Sequence, residues 1–441
     1  MKKIIIYLAA FWATSTAWAQ EKLPVYSLRQ CLEVGLEHNY SVRLVKVDEK
    51  ISAENATKGN AGLLPTVDLT GNYGGDFGSS RTESRSTGAI TRESNAYDQS
   101  VNLGVDASWT VFDGFNLITN YKQLQLLKRQ GELNTRIAME DFIASLVAEY
   151  YNFIQQKIRL KNFHYTMQLS KERVRLVEAR FNIGSFSGLD YQQAKVDFNA
   201  DSAQYMKQQE ALITSKIRLN ELMANQNVDQ WFELEDSLIN LDAHLSYEDL
   251  WQATLASNTS LLKAAQNTQL SEMDLKKAMS RNYPYVKLNA GYGYTFNKYG
   301  LSSTRMRDNW GLNAGITVGF NLFDGSKRTQ QRNARLELEG RKLEKEQLEL
   351  ALKSDMNTLW QAYQNNLQML QLERENVIVA KDNYEIAHYR YMKGELSGFE
   401  VREAQKSLRD AEERLLTVEY DTKTCEISLL QLSGNILSYL D

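Results

Sequence analysis

Residues 108–116 read SWTVFDGFN, and residues 319–327 read GFNLFDGSK. In both stretches an alternating apolar run ends at Phe-Asp-Gly, and a long helical pattern begins after it. Aspartate favours the N-cap of a helix and glycine permits a sharp turn, so each stretch predicts a strand that turns directly into a helix. The predicted turn residues are Asp113 and Gly114 in the first stretch, and Asp324 and Gly325 in the second.

The similarity between these stretches extends along the chain. Pro65 aligns with Pro284, and Gly184 aligns with Gly394, each within a similar local sequence. A period of this length does not suit a solenoid, and it indicates an internal duplication of one structural unit. The predicted segments are a first repeat over 20–225, an equatorial linker over 226–245 and a second repeat over 246–441.

Each predicted repeat contains a long helical stretch with an apolar residue at every seventh position. A sustained seven-residue period predicts helices that wind around neighbouring helices. Proline is absent from both stretches, which also favours long uninterrupted helices. The predicted helical hairpins cover about 115–224 and about 326–434. The recurring positions are Leu146, Phe153, Leu160, Met167, Val174 and Phe181, then Met356, Tyr363, Leu370, Val377, Tyr384 and Tyr391.

Each helical hairpin is predicted to have a tight tip. Gly184 and Gly394 suit the left-handed residue that ends a helix. Ser187-Gly-Leu-Asp190 and Ser397-Gly-Phe-Glu400 both match the capping-box pattern that starts one. The chain is therefore expected to leave one helix at the glycine and to enter the next within a few residues.

Four further segments alternate between apolar or aromatic residues and Gly, Asn, Thr, Ser or charged residues, a period of two that predicts strands. Two interpretations fit: hairpins of a soluble sheet, or strands that cross a membrane, which need about 9–11 residues with an apolar outer face. The polar connections over 78–100 and 297–310 are predicted to be loops outside the cell. The predicted strands are 66–77, 101–112, 285–296 and 312–323.

The N-terminal residues 1–19 are predicted to be a signal peptide. Lys2 and Lys3 precede a short apolar run and then Ala17-Trp18-Ala19, a typical cleavage site. No later stretch approaches the roughly 20 apolar residues of a membrane helix, so export favours the membrane interpretation of the strands. Because four strands cannot close a barrel and lipid does not tolerate an open edge, we predict a barrel shared by three chains.

The composition argues against several functional classes. The formal net charge of −4 gives no reason to expect nucleic acid as a partner. The four histidines lack metal-ligand spacing, and the GSFSG segment at 184–188 has Phe186 where a nucleophilic serine would stand. We therefore predict no enzyme activity, no cofactor and no metal site. The sequence leaves open whether Cys31 and Cys425 are bridged.

The chain resembles the outer-membrane efflux proteins, the TolC-like channels of bacteria, over essentially its whole mature length. The resemblance rests on the segment 27–39, on Leu63-Leu64-Pro65, on the repeated Phe-Asp-Gly, and on the tips Arg180-Phe-Asn-Ile-Gly184 and Arg390-Tyr-Met-Lys-Gly394. It implies an α+β membrane protein that forms a homotrimer. Each chain would supply four strands to a β-barrel of about 12 strands, continued by a long α-helical coiled-coil barrel.

The same resemblance implies a function. The trimer would be the outer-membrane channel of a tripartite efflux pump or type I secretion system, extending into the periplasm. Its partners would be a periplasmic adaptor (membrane fusion) protein, an inner-membrane transporter and outer-membrane lipid. The alternative is a soluble periplasmic coiled-coil adaptor or scaffold, which explains the helices but not the four strands. The sequence does not identify the pump, or whether the substrate is a drug, a metal or a secreted protein.

Two sets of residues carry over from the family. The tips of the helical hairpins would close the periplasmic end and contact the adaptor. Glu400 has a sufficient second explanation as the capping-box residue, and Leu396 stands where the best-known members carry a basic latch residue. The implied gate residues are Asp190, Tyr391, Glu400 and Glu403. The implied adaptor-contact residues are Arg180, Gly184, Gly188, Arg390, Gly394 and Gly398.

Overall fold

The computed structural model describes residues 23–185, 187–241, 245–300 and 304–440, so the predicted signal peptide lies outside the described residues. The first half contains β1 (Val25–Tyr26), α1 (Leu28–His38), α2 (Tyr40–Asn55), β2 (Thr66–Glu83), β3 (Ile90–Asp113), α3 (Asn116–Asn182) and α4 (Gly188–Leu222). The second half contains β4 (Glu233–Leu234), α5 (Tyr247–Ser257), α6 (Thr259–Ser280), β5 (Tyr285–Lys298), β6 (Met306–Gly319), α7 (Gly325–Met392), α8 (Gly398–Leu432) and a short 3₁₀ helix (Ile436–Leu440). Among the helices in these ranges, none combines the length and the apolar character needed to span a bilayer.

The chain forms two compact units. Of the described residues, those within 23–43, 138–258 and 353–440 form one unit, and those within 44–137 and 259–352 form the other. Each unit therefore draws on both halves of the sequence. The order of two helices, two strands and two long helices occurs once in each half.

The second unit contains a four-stranded antiparallel sheet in the order β2-β3-β5-β6. Leu69 pairs with Val105, and Tyr292 pairs with Leu312, so apolar residues face apolar residues across the sheet. Within the described residues, β2 and β6 are the outer strands and each has one unpaired edge. The sheet therefore keeps its alternating pattern but is not closed by this chain alone.

The strands of the first hairpin are longer than predicted. Most of the predicted loop 78–100 is strand, because β2 continues to Glu83 and β3 begins at Ile90. Arg81 pairs with Arg92 in this extension, beyond a bulge between Gly78 and Ser80. The backbone ladder needs no apolar face, whereas the sequence pattern detects only that part of a strand that has one.

The last predicted strand is displaced toward the N-terminus. Instead of 312–323, β6 covers Met306–Gly319. Gly319 pairs with Tyr285, the first residue of β5, which follows Pro284. Proline has no backbone N–H to donate to a ladder, so β6 finds no partner beyond Gly319.

The first unit contains the largest apolar cluster, and the predicted linker contributes to it. β4 pairs in parallel with β1, and the ring of Phe232 lies 5.2 Å from the ring of Phe153 on α3. The buried hydroxyl of Tyr150 donates a hydrogen bond of 2.8 Å to Asp236. Residues 226–241 therefore pack as part of the unit. Cys31 and Cys425 are both free thiols.

Candidate functional site: the tips of two helical hairpins

Both hairpin tips leave their first helix through the same backbone motif. Gly184 and Gly394 have φ of 78° and 80°. The N–H of Gly184 donates to the carbonyl of Phe181 at 2.9 Å, and the next N–H donates to Arg180 at 2.8 Å. The equivalent bonds at the second tip are 2.9 and 3.0 Å. These are Schellman motifs, in which a left-handed glycine lets the chain satisfy the last carbonyls of the helix.

Both tips enter their second helix through a capping box. The N–H of Asp190 donates to the hydroxyl of Ser187 at 3.2 Å, and the N–H of Ser187 donates back to Asp190 at 3.1 Å. Ser397 and Glu400 form the same pair at 3.3 and 3.0 Å. The hydrogen bonds from Ser397 hold the pKa of Glu400 below its usual value. Glu400 is therefore ionised at neutral pH and already serves as a cap.

The four predicted gate residues do not share one surface. Asp190, Glu400 and Glu403 are exposed, whereas Tyr391 is only 3% exposed and lies in an apolar cluster with Tyr384 and Val401. Burial raises the pKa of Tyr391, so its hydroxyl stays protonated at neutral pH. A single chain thus presents carboxylates at the tip and keeps the tyrosine inside.

Arginines connect and flank the tips. The guanidinium of Arg180 lies 5.5 Å from the ring centre of Tyr391 and donates to the carbonyl of Met392 at 3.4 Å. Arg390 lies 3.7 Å from the carboxylate of Glu395. Leu396 packs against the apolar cluster of Tyr391.

A buried ionic network behind the tips was not predicted from the sequence. Asp201 on α4 is 2% exposed and accepts two hydrogen bonds from Arg402 on α8, at 2.6 and 2.8 Å. Ser170 on α3 also donates to Asp201. Arg173 on α3 donates to Gln405 on α8 at 3.0 Å. The network therefore joins both helices of the first hairpin to the second hairpin.

The charges in this network are mutually stabilised. Burial lowers the pKa of Arg402, but the hydrogen bonds and charge of Asp201 outweigh it, and the net shift is upward. Arg173 has a lowered pKa, mainly because it is buried and also because Arg402 is close. Asp197 lies 3.9 Å from Arg173 and 3.8 Å from Arg402. The positive charges of Arg173 and Arg402 are thus compensated by the negative charges of Asp197 and Asp201.

A signal for this network was present in the heptad register of α4. Ala194, Asp201, Gln208 and Ser215 are seven residues apart and all are buried. Small and polar residues at core positions of a coiled coil fix its register at some cost in stability. The apolar heptad positions alone do not reveal this polar row.

The two Phe-Asp-Gly turns differ. Asp113 is the last residue of β3, as predicted, whereas β6 ends at Gly319, so Asp324 directly precedes α7 without following a strand. Asp113 accepts from the N–H of Leu117 at 3.1 Å, and Asp324 accepts from the N–H of Ser326 at 2.8 Å. Gly114 has φ of 69°, and a Cβ there would collide with the carbonyl oxygen of Ser280. A Cβ at Gly325 would meet open space. The first turn needs its glycine, and the second does not.

Comparison with known proteins identifies the family. The model of the family described as "Outer membrane efflux protein" matches residues 33–225 and 250–435. The chain belongs to this family. Its members are outer-membrane transport channels rather than enzymes, and the chain is accordingly located in the outer membrane.

Individual members of the family resemble the chain over most of its length. The outer membrane protein TolC of Vibrio cholerae is 21% identical, with 99% of this chain and 96% of the relative covered. The probable efflux pump outer membrane protein TtgC of Pseudomonas putida is 22% identical, covering 92% of this chain and 83% of the relative.

Solved structures share the fold. The outer-membrane channel OprN has a TM-score of 0.76 at 18% identity, covering 92% of this chain and 90% of its own. The outer membrane protein VceC of Vibrio cholerae has a TM-score of 0.74 at 18% identity. The match covers 92% of this chain and 96% of the VceC chain. The paired strands and long helical hairpins of this efflux protein are therefore those of outer-membrane channels.

Proposed function

We propose that this efflux protein is a homotrimeric exit duct of a tripartite efflux pump or type I secretion system. Each chain would contribute four strands to a barrel of about 12 strands in outer-membrane lipid, and its helical hairpins would form a periplasmic tunnel. An inner-membrane transporter would supply the substrate through a periplasmic adaptor. The observation that carries this proposal is the open, apolar four-stranded sheet.

The sheet is unsuited to stand alone. Leu69 on one outer strand is 82% exposed, and Leu312 on the other is 78% exposed. An open sheet edge in lipid leaves backbone N–H and C=O groups unsatisfied, which costs several kcal/mol for each group. Pairing of β2 in one copy with β6 in the next would remove both edges and direct the apolar face toward lipid.

Exposed apolar residues on the long helix α7 also indicate that other copies of the chain pack against this one. Apolar residues recur every seventh position yet remain exposed in the single chain, a pattern that predicts packing against another helix. The residues are Leu336, Leu343 and Leu350 in one stretch, and Leu372, Val379 and Ile386 in another. Neighbouring copies of the same chain would cover both stretches.

The roles of the tips belong to this proposal. Three copies each of Glu400 and Glu403 would form an acidic ring at the entrance, with Asp190 and Tyr391 completing the gate. The adaptor would contact the turns around Arg180, Gly184 and Gly188 and around Arg390, Gly394 and Gly398. The internal duplication is supported by the two separate matches to one family model. The trimer would then present six hairpin tips around the tunnel, three copies of each of the two forms.

A matched pair of variants tests the proposed barrel. Leu312→Arg places a charge on the face proposed to meet lipid, and Asn313→Arg places it on the opposite face of the same strand. At mid-membrane the first change costs about 2–4 kcal/mol, so we expect loss of trimer and of membrane assembly, with the second variant assembling normally. Assembly is read as mass in detergent and as conductance in planar bilayers.

Three outcomes would contradict the proposal. The first is a wild-type mass of one chain together with conductance. The second is equal tolerance of both variants. The third is release of the wild-type protein from envelopes without detergent, which is the behaviour of the soluble scaffold.

A further inference from the structure

A cavity of about 550 Å³ lies between α3, α7 and α8, close to the hairpin tips. Its size falls within the range of small-molecule sites. Leu169, Leu176 and Val401 provide apolar walls. Arg173 and Tyr391 also line it and lie deep in the protein, with the Arg173 side chain 8% exposed. The cavity therefore combines an apolar surface with two buried polar side chains.

These two groups have unused hydrogen-bonding capacity. The Nη1 atom of Arg173 and the hydroxyl of Tyr391 are buried and make no hydrogen bond within the part of the chain that the structure describes. Arg173 donates hydrogen bonds to Gln405 and Ser170 through its Nη2 atom, whereas its Nη1 atom faces only the carboxylate of Asp197, 3.9 Å away and beyond hydrogen-bond distance. A buried donor without an acceptor lowers the stability of the folded protein, so each such group in a native structure calls for an explanation.

The surrounding charges define what would fit. Arg173 is a cation, and Tyr391 is a neutral donor because burial raises its pKa. At the rim, Arg175 is already paired with Glu172 at 3.1 Å. Asp197 lies 3.9 Å from Nη1 of Arg173, so its carboxylate disfavours a ligand that carries more than one negative charge. The complementary group is therefore a singly charged acceptor with two oxygens.

We propose that this cavity binds a small amphipathic carboxylate. One carboxylate oxygen would accept from Nη1 of Arg173 and the other from the hydroxyl of Tyr391, while the apolar part lies against Leu169, Leu176 and Val401. Charge-assisted bonds of this kind are stronger than neutral ones, and arginine suits the planar carboxylate. The site goes beyond the proposed duct, since it lies within one chain and requires neither pore nor adaptor.

The test uses full-length protein in detergent and 4-(trifluoromethyl)benzoate, with binding followed by ¹⁹F relaxation. Tyr391→Phe removes only a hydroxyl that has no partner in the described chain, so the fold should persist and affinity should fall about fivefold. Leu176→Trp should fill the cavity and abolish binding. Arg175→Gln is the matched control at the rim and should bind as the wild type does.

The neutral analogue 4-(trifluoromethyl)benzamide should bind more weakly than the carboxylate to the wild type. The inference is wrong if the wild type does not bind the carboxylate at millimolar concentration. It is also wrong if Tyr391→Phe and Leu176→Trp bind it as the wild type does, because detergent partition would then account for the signal.

Discussion

Asp201→Asn is the most informative single change in the network behind the tips. The substitution keeps the shape of the side chain and removes its charge. It leaves Arg402 without the carboxylate that accepts bonds of 2.6 and 2.8 Å, and it places an amide group against the guanidinium. Asp197, at 3.8 Å from Arg402, would be the nearest remaining carboxylate of the network.

The expected cost follows from burial. Removing one partner of a buried ion pair costs about 3–5 kcal/mol. The side chain of Asp201 is 2% exposed but that of Arg402 is 20% exposed, so water can replace part of the lost interaction. We therefore expect about 2–4 kcal/mol of local destabilisation. At 1.36 kcal/mol for each factor of ten, this is roughly 30- to 1,000-fold faster local opening.

Hydrogen exchange measured by mass spectrometry can resolve this effect without global unfolding. Peptides covering 166–180 and 398–408 should lose protection in Asp201→Asn, because these segments hold the partners of Asp201. Glu172→Gln is the matched control, since Glu172 and Arg175 form an exposed pair at 67% and 71% side-chain exposure. Such a pair contributes about 0.5 kcal/mol or less, so the control should change exchange about twofold at most.

If Asp201→Asn showed the same hydrogen exchange as Glu172→Gln in both segments, the network would not be the interaction that holds the two hairpins together. Loss of protection confined to 166–180 would place the effect within the first hairpin alone. Only a joint loss of protection supports the connection between hairpins.

Three further changes separate roles that the structure distinguishes. Gly114→Ala should lower the melting temperature, with about 2 kcal/mol or more lost to backbone strain and collision, whereas Gly325→Ala should be neutral or slightly stabilising; equal effects would contradict the geometry. Glu400→Gln combined with Glu403→Gln retains the cap and removes the charge, so cation selectivity in planar bilayers should weaken while the trimer persists; unchanged selectivity would limit Glu400 to capping. A tag inserted at Ser86 should be accessible on intact cells, and accessibility only after permeabilisation would invert the topology.

The long helices and their ends were predictable because their causes are local. The Schellman motif at Gly184 and the capping box at Ser187 each involve residues within six positions of one another. The helical hairpin predicted over about 115–224 corresponds to α3, Asn116–Asn182, and α4, Gly188–Leu222. Heptad positions such as Met356 and Tyr363 are buried, as a coiled-coil period predicts.

Strand extent was only partly predictable. The alternating pattern identified four strands, but it missed the extension of β2 to Glu83 and placed the end of β6 beyond Gly319. Both differences depend on the partner strand: a paired partner prolongs β2, and the start of β5 after Pro284 ends β6. A strand boundary is thus a property of two segments, and one segment alone does not contain it.

The sequence by itself determined the helical hairpins, their tips, the alternating strands and the family. Tertiary structure alone decided that Asp201 and Arg402, 201 residues apart, form a buried pair, and that Gly114 is required while Gly325 is not. It also buried Tyr391 near Arg180 and Arg173, while Glu400 and Glu403 stay exposed. Caps, turns and heptads are set by neighbours along the chain, whereas burial of a charge depends on which distant helix lies against it.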